Sequence, residues 1–463
     1  MEMTHRFSPG TTIHFIGMGG VGMSALAQIL AKRGCIISGC DLKENDFTQS
    51  LEKQGILSLK GHDPEHLSGK ELVVYSSGIP FSNGELAETR RRGILLAKRG
   101  ELLSWLMEEK FGIAVSGAHG KTTTTALIGL ALMECGLKPT VLVGGWVSHF
   151  GGNVQFGEGN FWVTEADESD GSFLYLKPKI GIVTNIDKEH MDFYQDEKQL
   201  LTAYSEFVQQ TSLQGTVIAC GDDTHIEKIL NQTKRGAVSY GIGESVQIRA
   251  RNIRLSPLGS QFDLYRDGSF IHEVALRIPG VHNVLNALAA LAVGMELKLS
   301  VPQLARGMSH FQGVHRRFQI KSQAGDIWIV DDYAHHPTEI DAVIKVAKNL
   351  GRARIIGIFQ PHRYTRTQVL LNEFSEVLQG VDRLIVTDIY SADEAPIPNV
   401  SGRQLFDKVV EYGHRSCEFL PKHRIKERIL ELAQPGDTVL FLGAGDITEV
   451  ADQVAQEVQW KPL

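Results

Sequence analysis

Phosphate-binding chemistry is indicated by a short glycine-rich segment between a predicted strand and a predicted helix. The segment reads Gly117, Ala118, His119, Gly120, Lys121, Thr122 and Thr123. Backbone N–H groups of such a loop converge on phosphate oxygens, helped by the positive end of the following helix. In this pattern Lys121 reaches the β- and γ-phosphates of ATP, and the hydroxyl of Thr122 ligates Mg²⁺. Val115 stands where the general pattern has its first glycine, so the alternative is a tight strand-to-helix turn with an exposed lysine.

A second glycine-rich loop lies near the start of the sequence. Its residues are Gly17, Met18, Gly19, Gly20, Val21 and Gly22. The glycines match the dinucleotide-binding pattern, and Asp41 lies about 20 residues further on, at the end of the next predicted strand. Because such a loop accepts the pyrophosphate of any nucleotide, it is compatible both with an NAD-dependent dehydrogenase and with a UDP-binding protein.

Two polar runs follow predicted strands in the central part of the chain. They read Glu165-Ala166-Asp167-Glu168-Ser169-Asp170 and Thr184-Asn185-Ile186-Asp187-Lys188-Glu189-His190. Open α/β sheets bind ligands at the carboxyl ends of their strands, and Mg²⁺ takes one or two protein carboxylates together with phosphates and waters. The runs therefore indicate a Mg²⁺ site that His190 approaches, with solvated acidic turns as the alternative.

A predicted helix further along carries His282, Asn283 and Asn286. Residues three apart share one helix face, so Asn283 and Asn286 can point together at a nucleotide base; helix capping is the alternative for Asn283. The arginines Arg316 and Arg317 follow, and they fit either a phosphate contact or a surface pair.

Two polar segments also follow strands in the last third of the sequence. They are Asp331-Asp332-Tyr333-Ala334-His335-His336-Pro337 and Gln360-Pro361-His362-Arg363-Tyr364-Thr365-Arg366-Thr367. The side chains of adjacent histidines diverge, so we predict no zinc site there; one histidine is expected to cap a helix and the other to serve a site. Arg363 and Arg366 can form a carboxylate clamp because arginine binds carboxylates through two N–H groups; a basic surface turn is the alternative.

Alternating strand and helix patterns position these segments and predict an α/β fold with parallel sheets. The predicted strands are Thr12–Ile16, Cys35–Gly39, Leu72–Tyr75, Gly112–Ser116, Phe161–Thr164, Ile180–Thr184, Thr216–Cys220, Ile327–Val330, Ile355–Phe359, Leu384–Thr387 and Thr438–Leu442. Helices are predicted over Gly22–Arg33, over Thr123–Cys135 and from Pro337. Between Gln247 and Ile278 a period of two and the turn signal Asp267-Gly268 predict a small antiparallel patch. We predict three domains at residues 1–108, 109–317 and 318–463.

Composition narrows the class of protein. The net charge is −7 and no block of Lys and Arg stands out, which argues against nucleic-acid binding. The five cysteines are scattered without a CxxC pair, so neither a disulfide framework nor a zinc ribbon is expected. The start of the sequence lacks a signal-peptide pattern, and no apolar run approaches the roughly 20 residues that cross a bilayer. We expect a cytoplasmic protein without a membrane partner.

Taken in order, these segments resemble the Mur ligase family over nearly the whole chain. The motifs that carry the resemblance are HFIGMGGVGMSALA, SGAHGKTTTT, EADESDGSFL, TNIDKEHMD, GVHNVLNALAA, DDYAHHPTEI, FQPHRYTRT and GAGDI. The resemblance implies a Rossmann-like N-terminal domain for a UDP-sugar, a central ATPase domain, and a Rossmann-like C-terminal domain for an amino acid.

Site residues are implied by the same resemblance. ATP is assigned to Gly117, Ala118, His119, Gly120, Lys121, Thr122, Thr123, His282, Asn283, Asn286, Arg317 and Asp332. The UDP-sugar is assigned to Gly17, Gly19, Gly20, Val21, Gly22, Asp41, Ser76 and Ser77. The amino acid is assigned to Tyr333, His335, Arg363 and Arg366. Thr122, Glu165 and His190 are implied to hold Mg²⁺, and Lys121, His190 and Arg363 are implied to be catalytic.

The reaction that the resemblance implies joins the carboxylate of UDP-N-acetylmuramate to the amine of L-alanine, with ATP forming an acyl phosphate first. We expect domain closure to assemble the reaction centre, in a monomer or weak homodimer. Three alternatives remain at this point: a related ligase that attaches a tripeptide, an NAD-dependent dehydrogenase, and a non-catalytic nucleotide-binding regulator. A dehydrogenase would have no use for the phosphate loop, and a regulator would have no use for a carboxylate clamp at Arg363 and Arg366.

Overall fold

The computed structural model describes residues 7–191 and 193–458. The chain forms two compact units. The first contains the residues up to Asn252 together with Phe262–Val274 and Leu285–Phe311, and the second contains Ile253–Gln261, Ala275–Val284 and the residues from Gln312 onward. The first unit holds a five-stranded sheet and most of a ten-stranded sheet, and the second holds a six-stranded sheet. The boundaries near residues 108 and 317 stay predictions.

The N-terminal sheet is entirely parallel. Its strands are β1 (Thr12–Ile16), β2 (Ile36–Asp41), β3 (Leu57–Lys60), β4 (Leu72–Tyr75) and β5 (Leu95–Lys98). Its helices are α1 (Val21–Lys32), α2 (Asp46–Lys53), α3 (Gly84–Arg92) and α4 (Arg99–Glu108). The strand order β3-β2-β1-β4-β5 reverses beside β1, and ligands of such sheets bind in the crevice at that point. The first glycine loop follows β1, so it opens onto this crevice.

The central sheet has ten strands. They are β6 (Phe111–Ser116), β7 (Thr140–Val147), β8 (Gly152–Gln155), β9 (Phe161–Glu165), β10 (Ile180–Val183), β11 (Thr216–Cys220), β12 (Ala237–Gly241), β13 (Ile248–Ser256), β14 (Gly259–Arg266) and β15 (Ser269–Leu276). The helices of this region are α5 (Lys121–Glu134), α6 (Glu197–Gln210), α7 (Thr224–Thr233), α8 (Val281–Glu296) and α9 (Val301–Ser309). The strand order is β15-β14-β13-β12-β11-β10-β6-β9-β7-β8. Since β6 lies between β9 and β10 in parallel pairing, the segments after these three strands emerge at one edge.

The predicted antiparallel patch is confirmed as the meander β13–β15. Asp267 and Gly268 have φ angles of 48° and 81°, the left-handed geometry that a two-residue hairpin requires. Ile248 and Ala250 are buried, as the period of two predicts. The alternation stops at Asn252, which is exposed and has a φ of 49°.

The C-terminal sheet has six strands and is covered by helices on both faces. Its strands are β16 (Gln319–Ser322), β17 (Trp328–Asp332), β18 (Arg354–Phe359), β19 (Arg383–Val386), β20 (Cys417–Phe419) and β21 (Asp437–Leu442). Its helices are α10 (Pro337–Asn349), α11 (Tyr364–Val369), α12 (Leu371–Val377), α13 (Gly402–Glu411), α14 (Lys422–Leu432) and α15 (Ile447–Val458). The order is β16-β17-β21-β18-β19-β20, with β16 antiparallel to β17.

Both faces of this sheet are apolar, which explains the continuous apolar runs in its strands. In β18, Ile355 and Phe359 pack in the core on one face, whereas Ile356 and Ile358 pack in the core on the other. Among the described residues, none of the helices combines the length and the apolar character that a membrane crossing requires.

Candidate functional site

The phosphate loop contains two glycines at which any other side chain would collide with neighbouring atoms and displace the loop or its neighbours. Gly117 has a φ of 136°, and a Cβ there would lie 2.0 Å from the hydroxyl oxygen of Thr184. Gly120 has a φ of 82°, and a Cβ there would lie 2.4 Å from Oδ1 of Asn286. The loop is therefore packed directly against the segment after β10 and against α8.

Lys121 is the first residue of α5, and its side chain folds back over the loop. Its Nζ lies 2.5 Å from the carbonyl oxygen of Gly117 and 2.8 Å from Oε1 of Glu168. Burial alone would lower the pKa of Lys121, but the Glu168 carboxylate outweighs burial and raises it. The ammonium is therefore charged and is held at the loop by a carboxylate that lies on the segment after β9.

The segment after β10 braces the loop. The Thr184 hydroxyl donates to the carbonyl oxygen of His119 at 2.7 Å, and the N–H of His119 donates to Oδ1 of Asn185 at 2.8 Å. Nε2 of His119 also lies 3.0 Å from Oδ2 of Asp187. The TNID part of this run therefore fixes the backbone of the phosphate loop, a role that the sequence analysis did not assign to it.

An acidic cluster lies beside Lys121. The donor atoms of Glu168, Glu189 and His190 lie within 4.8 Å of one another, and Nε2 of His190 is 3.4 Å from Oε1 of Glu168. Oε2 of Glu168 and Oε1 of Glu189 are buried without a hydrogen-bond partner. Since buried carboxylate oxygens are rarely left unpaired, and oxygen donors suit a hard divalent cation, the cluster fits Mg²⁺.

The predicted metal ligands fall into two groups. Glu165 accepts a hydrogen bond from the N–H of Gly144 and contacts the hydroxyl of Thr122. Burial raises the pKa of Glu165, and the ammonium of Lys121 opposes that shift. His190 instead joins Glu168 and Glu189. Burial would lower the pKa of His190, but contact with Glu168 raises it overall. Glu168 and Glu189 belong to the predicted acidic runs, although the sequence did not distinguish them from their neighbours.

The first glycine loop is anchored by the carboxylate that the sequence singled out. The N–H of Gly19 donates to Oδ2 of Asp41 at 2.9 Å, and Nδ2 of Asn45 donates to the carbonyl oxygen of Gly19 at 3.0 Å. Gly17 has a φ of 81°, and a Cβ there would lie 3.1 Å from Cβ of Ser76. The loop and Ser76 thus meet beside β1 and β4, at the crevice where the strand order reverses.

The other residues predicted to bind the UDP-sugar lie at the start of α1 and after β4. Gly20 precedes α1 as its N-terminal cap, and Val21 is its first residue. Ser77 is exposed.

Arg99 connects the first glycine loop with the acidic run and was missed by the sequence analysis. Its Nη2 lies 2.9 Å from Oδ2 of Asp167, 3.3 Å from Oδ2 of Asp170 and 2.9 Å from Oγ of Ser172. A Cβ at Gly22 would lie 3.2 Å from Nη1 of the same guanidinium. One arginine therefore contacts the acidic run after β9 and lies beside Gly22 of the first glycine loop.

Helix α8 contributes one amide to the phosphate loop. Oδ1 of Asn286 accepts from the Thr124 hydroxyl at 3.2 Å, and Asn286 is buried. Nδ2 of Asn283 donates instead to the carbonyl oxygen of Pro279 at 2.7 Å, and His282 is exposed. The convergence of the two amides on one base stays a prediction.

In the second unit, Asp332 braces the end of β17. Its carboxylate accepts from the N–H groups of Phe318 at 2.6 Å and Ala334 at 2.7 Å. Burial raises the pKa of Asp332 to about 6, although the nearby guanidinium of Arg317 opposes the shift. Arg317 forms an ion pair with Glu339 at 3.1 Å.

The predicted amino-acid residues gather around two histidines. The ring centroid of His335 lies 5.3 Å from that of Tyr333 and 5.6 Å from that of His362. Nη1 of Arg366 is 3.3 Å from Nδ1 of His362. Burial, followed by the charge of Arg366, lowers the pKa of His362 to about 3, and burial lowers the pKa of His335. Both imidazoles are therefore neutral at pH 7.

Arg363 has an unusual backbone conformation. Its φ of 71° is in the left-handed region, which a non-glycine residue adopts at a cost and which often marks functional sites. Its guanidinium lies 3.7 Å from Oε1 of Glu394, a carboxylate that the sequence analysis did not consider. His336 caps α10 by accepting from the N–H of Thr338, as expected for one of the two adjacent histidines.

Three family models match in succession: "Mur ligase family, catalytic domain" at residues 12–111, "Mur ligase middle domain" at 115–294, and "Mur ligase, glutamate ligase domain" at 316–445.

Similar full-length proteins are known. The UDP-N-acetylmuramate–L-alanine ligase of Salinibacter ruber is 41% identical over 95% of this chain and 93% of its own. That of Syntrophobacter fumaroxidans is 42% identical over 95% and 94%. The crystal structure of the Thermotoga maritima UDP-N-acetylmuramate–alanine ligase superposes with a TM-score of 0.84 at 28% identity, over 97% of this chain and 99% of that one. The predicted α/β fold with three domains is confirmed, and the chain belongs to the Mur ligase family.

Proposed function

We propose that this protein is an ATP-dependent ligase that joins the carboxylate of UDP-N-acetylmuramate to the amino group of L-alanine in peptidoglycan precursor synthesis. The observation that carries the proposal is the meeting of three loops at neighbouring strand ends, where Lys121 contacts the phosphate loop and Glu168 together. The same activity is in the names of relatives that are about 40% identical over nearly the whole chain.

ATP binds at the phosphate loop in this proposal. The loop of residues 117–123 and the dipole of α5 receive the phosphates, and Lys121 turns from Glu168 toward the γ-phosphate. Asn286 supports the loop from α8, while His282, Asn283, Arg317 and Asp332 complete the assigned nucleotide residues.

Mg²⁺ would be held by Thr122, Glu165 and His190, with Glu168 and Glu189 added because of their unpaired oxygens. When bound, the cation neutralises phosphate charge.

The first chemical step activates the muramyl carboxylate. One carboxylate oxygen attacks the γ-phosphorus, the bond to the β-phosphate oxygen breaks, and ADP leaves with that electron pair. The product is an acyl phosphate. Phosphoryl transfer depends on positioning and charge neutralisation more than on covalent catalysis, and the ammonium of Lys121 supplies a fixed positive charge at the γ-phosphate.

The second step forms the amide. The neutral amine of alanine attacks the acyl carbonyl, and the tetrahedral intermediate expels phosphate and loses a proton. Arg363 and Arg366 hold the alanine carboxylate by two-pronged hydrogen bonds, and Tyr333 and His335 line the same place. Nδ1 of His335 donates to the carbonyl oxygen of Tyr333 at 2.9 Å, so Nε2 of this neutral imidazole can accept a hydrogen bond from the amine, which a charged imidazole cannot do.

The UDP-sugar occupies the crevice of the N-terminal sheet. The loop of Gly17, Gly19, Gly20, Val21 and Gly22 places its pyrophosphate at the N-terminal end of α1, with Asp41, Ser76 and Ser77 nearby. We further propose that the enzyme acts in the cytoplasm as a monomer or weak homodimer.

The experiment that tests this function is ADP release from ATP, Mg²⁺ and UDP-N-acetylmuramate with L-alanine, with a tripeptide, or without an amine. We expect release only with alanine, accompanied by the mass of UDP-N-acetylmuramoyl-L-alanine. Turnover with the tripeptide alone would mean that the amine substrate is a tripeptide, as in a related ligase, and is not L-alanine. No release with any amine would contradict the proposal.

A further inference from the structure

A cluster of histidine, cysteine and glutamate side chains lies inside the N-terminal sheet, apart from the ligase chemistry. His14 is on β1, Cys40 is on β2, His66 follows β3, and Glu85 is in the first turn of α3. Their donor atoms all lie within 4.8 Å of one another. His14, Cys40 and Glu85 are fully buried, so the cluster is a built interior feature of the domain.

The contacts converge on the carboxylate of Glu85. Oε1 lies 2.8 Å from Nδ1 of His66 and 3.4 Å from Nε2 of His14, and Oε2 lies 3.1 Å from Sγ of Cys40. Nitrogen and sulfur donors about 2.0–2.3 Å from a tetrahedral zinc ion stand roughly 3.4–3.7 Å apart. The observed spacings therefore need only small rearrangements to surround such an ion.

His14 supplies an independent sign of a missing partner. Its Nε2 is buried with no hydrogen bond of regular geometry and only the 3.4 Å approach to Oε1 of Glu85, while its other ring nitrogen lies 3.0 Å from the Ser38 hydroxyl. Metal-binding histidines are characteristically oriented by a hydrogen bond to the nitrogen that does not bind the metal. Ser38 therefore fixes the ring so that the unpaired nitrogen faces Cys40, His66 and Glu85.

The ligand set also balances charge. A divalent cation held by one carboxylate, from Glu85, and one thiolate, from Cys40, leaves no net charge inside the domain, whereas an uncompensated buried charge is costly.

We propose that His14, Cys40, His66 and Glu85 form a binding site for a borderline-soft divalent cation of the Zn²⁺ class. The thiol of Cys40 loses its proton to solvent as the metal–sulfur bond forms, and Glu85 contributes a carboxylate oxygen. His62 lies beside the site, with Nδ1 3.2 Å from both Cys40 Sγ and Glu85 Oε2.

The site would brace the first glycine loop. The carbonyl oxygen of Cys40 accepts from the N–H groups of Gly17 and Met18 at 2.9 and 3.0 Å, so a metal on Cys40 fixes the start of that loop. A cation here is structural, and it is separate from the Mg²⁺ of the phosphate loop.

The test is cobalt substitution in the full-length protein. Protein stripped with a chelator is titrated with Co²⁺ while excess Mg²⁺ and ATP occupy the phosphate-loop site. We expect one equivalent to produce a thiolate-to-cobalt charge-transfer band and the intense visible bands of four-coordinate Co²⁺, and Zn²⁺ to remove both. Cys40→Ser should abolish the charge-transfer band. Cys220→Ser is the matched control, because Cys220 is also buried near a strand end, and it should keep the band.

A second variant keeps the test decisive if Cys40→Ser does not fold. Ser38→Ala removes only the hydrogen bond that orients His14 and should weaken Zn²⁺ binding about 10- to 100-fold. Absence of the charge-transfer band in the wild type would overturn the proposal. Loss of the band in Cys220→Ser, or a Ser38→Ala affinity within twofold of the wild type, would overturn it as well.

Discussion

The substitution Gly120→Ala tests the packing of the phosphate loop against α8. The new Cβ would lie 2.4 Å from Oδ1 of Asn286, and the φ of 82° is unfavourable for alanine. Because Asn286 is buried and bonds the Thr124 hydroxyl at 3.2 Å, it cannot move away without losing that contact. We therefore expect the loop itself to shift.

The magnitude follows from two separable effects. Placing a residue with a Cβ in the left-handed region costs about 1–2 kcal/mol. Loss of the contact between Asn286 and Thr124 adds roughly 0.5–1.5 kcal/mol, so the free energy of unfolding should fall by about 1.5–3.5 kcal/mol in total. A displacement of about 1 Å at a site that positions reacting groups can reduce turnover roughly 100-fold.

Gly136→Ala is the matched control because it isolates the backbone effect. Gly136 follows the other end of α5 and has a φ of 76°, and a Cβ there would meet no heavy atom within 4 Å. The Gly136→Ala variant should lose only about 1–2 kcal/mol of its free energy of unfolding and keep normal turnover. Thermal melting and ADP release would be measured for both variants. A turnover of Gly120→Ala within threefold of that of Gly136→Ala would refute the reasoning.

Three further predictions concern charged residues. Lys121→Ala should reduce kcat by about 10²- to 10³-fold in ADP release, because it removes a preorganised charge at the γ-phosphate; a loss below tenfold would contradict that role. Arg99→Met should lower stability by roughly 1.5 kcal/mol in thermal melting, at the low end of the range because the Asp167 side chain is 37% exposed. Arg33 is the control, because its Nη1 lies 2.8 Å from Oε2 of Glu109 in a partly exposed ion pair. Arg33→Met should cost less than about 1 kcal/mol, and equal losses in the two variants would contradict the prediction for Arg99. The pKa of Asp332 is raised from 3.8 to about 6, so its contribution to stability is present below pH 3.8 and is lost as pH rises through 6. Relative to the wild type, Asp332→Asn should therefore gain up to about 3 kcal/mol of stability between these pH values. Thermal melting of both proteins across this range would measure the gain, and a difference that does not change with pH would contradict it.

The sequence predicted the strands that carry the chemistry because they are buried and end in polar runs. The predicted bounds of β1, β4 and β11 coincide with the structure. The edge strands β3 and β5 were missed, since they are short and half exposed: Leu57 and Leu95 are 55% and 49% exposed. Such strands lack the continuous apolar character that made the central strands recognisable.

The site was predicted where a local motif exists and was missed where a contact joins distant segments. Lys121 belongs to a recognisable loop, but its partner Glu168 stood among three other acidic residues in one run. Arg99 carries no motif, and its acceptors Asp167 and Asp170 are 68 and 71 residues away. Only the three-dimensional arrangement reveals that pairing.

The central claim, that the muramyl carboxylate is activated by the γ-phosphate at the Lys121 loop, is tested most directly by isotope transfer. UDP-N-acetylmuramate labelled with ¹⁸O in both carboxylate oxygens would be turned over with ATP, Mg²⁺ and L-alanine, and the released phosphate and amide product would be weighed by mass spectrometry. We predict one ¹⁸O in phosphate and one in the amide carbonyl. Unlabelled phosphate released together with the amide would contradict an acyl-phosphate intermediate and, with it, this account of the site.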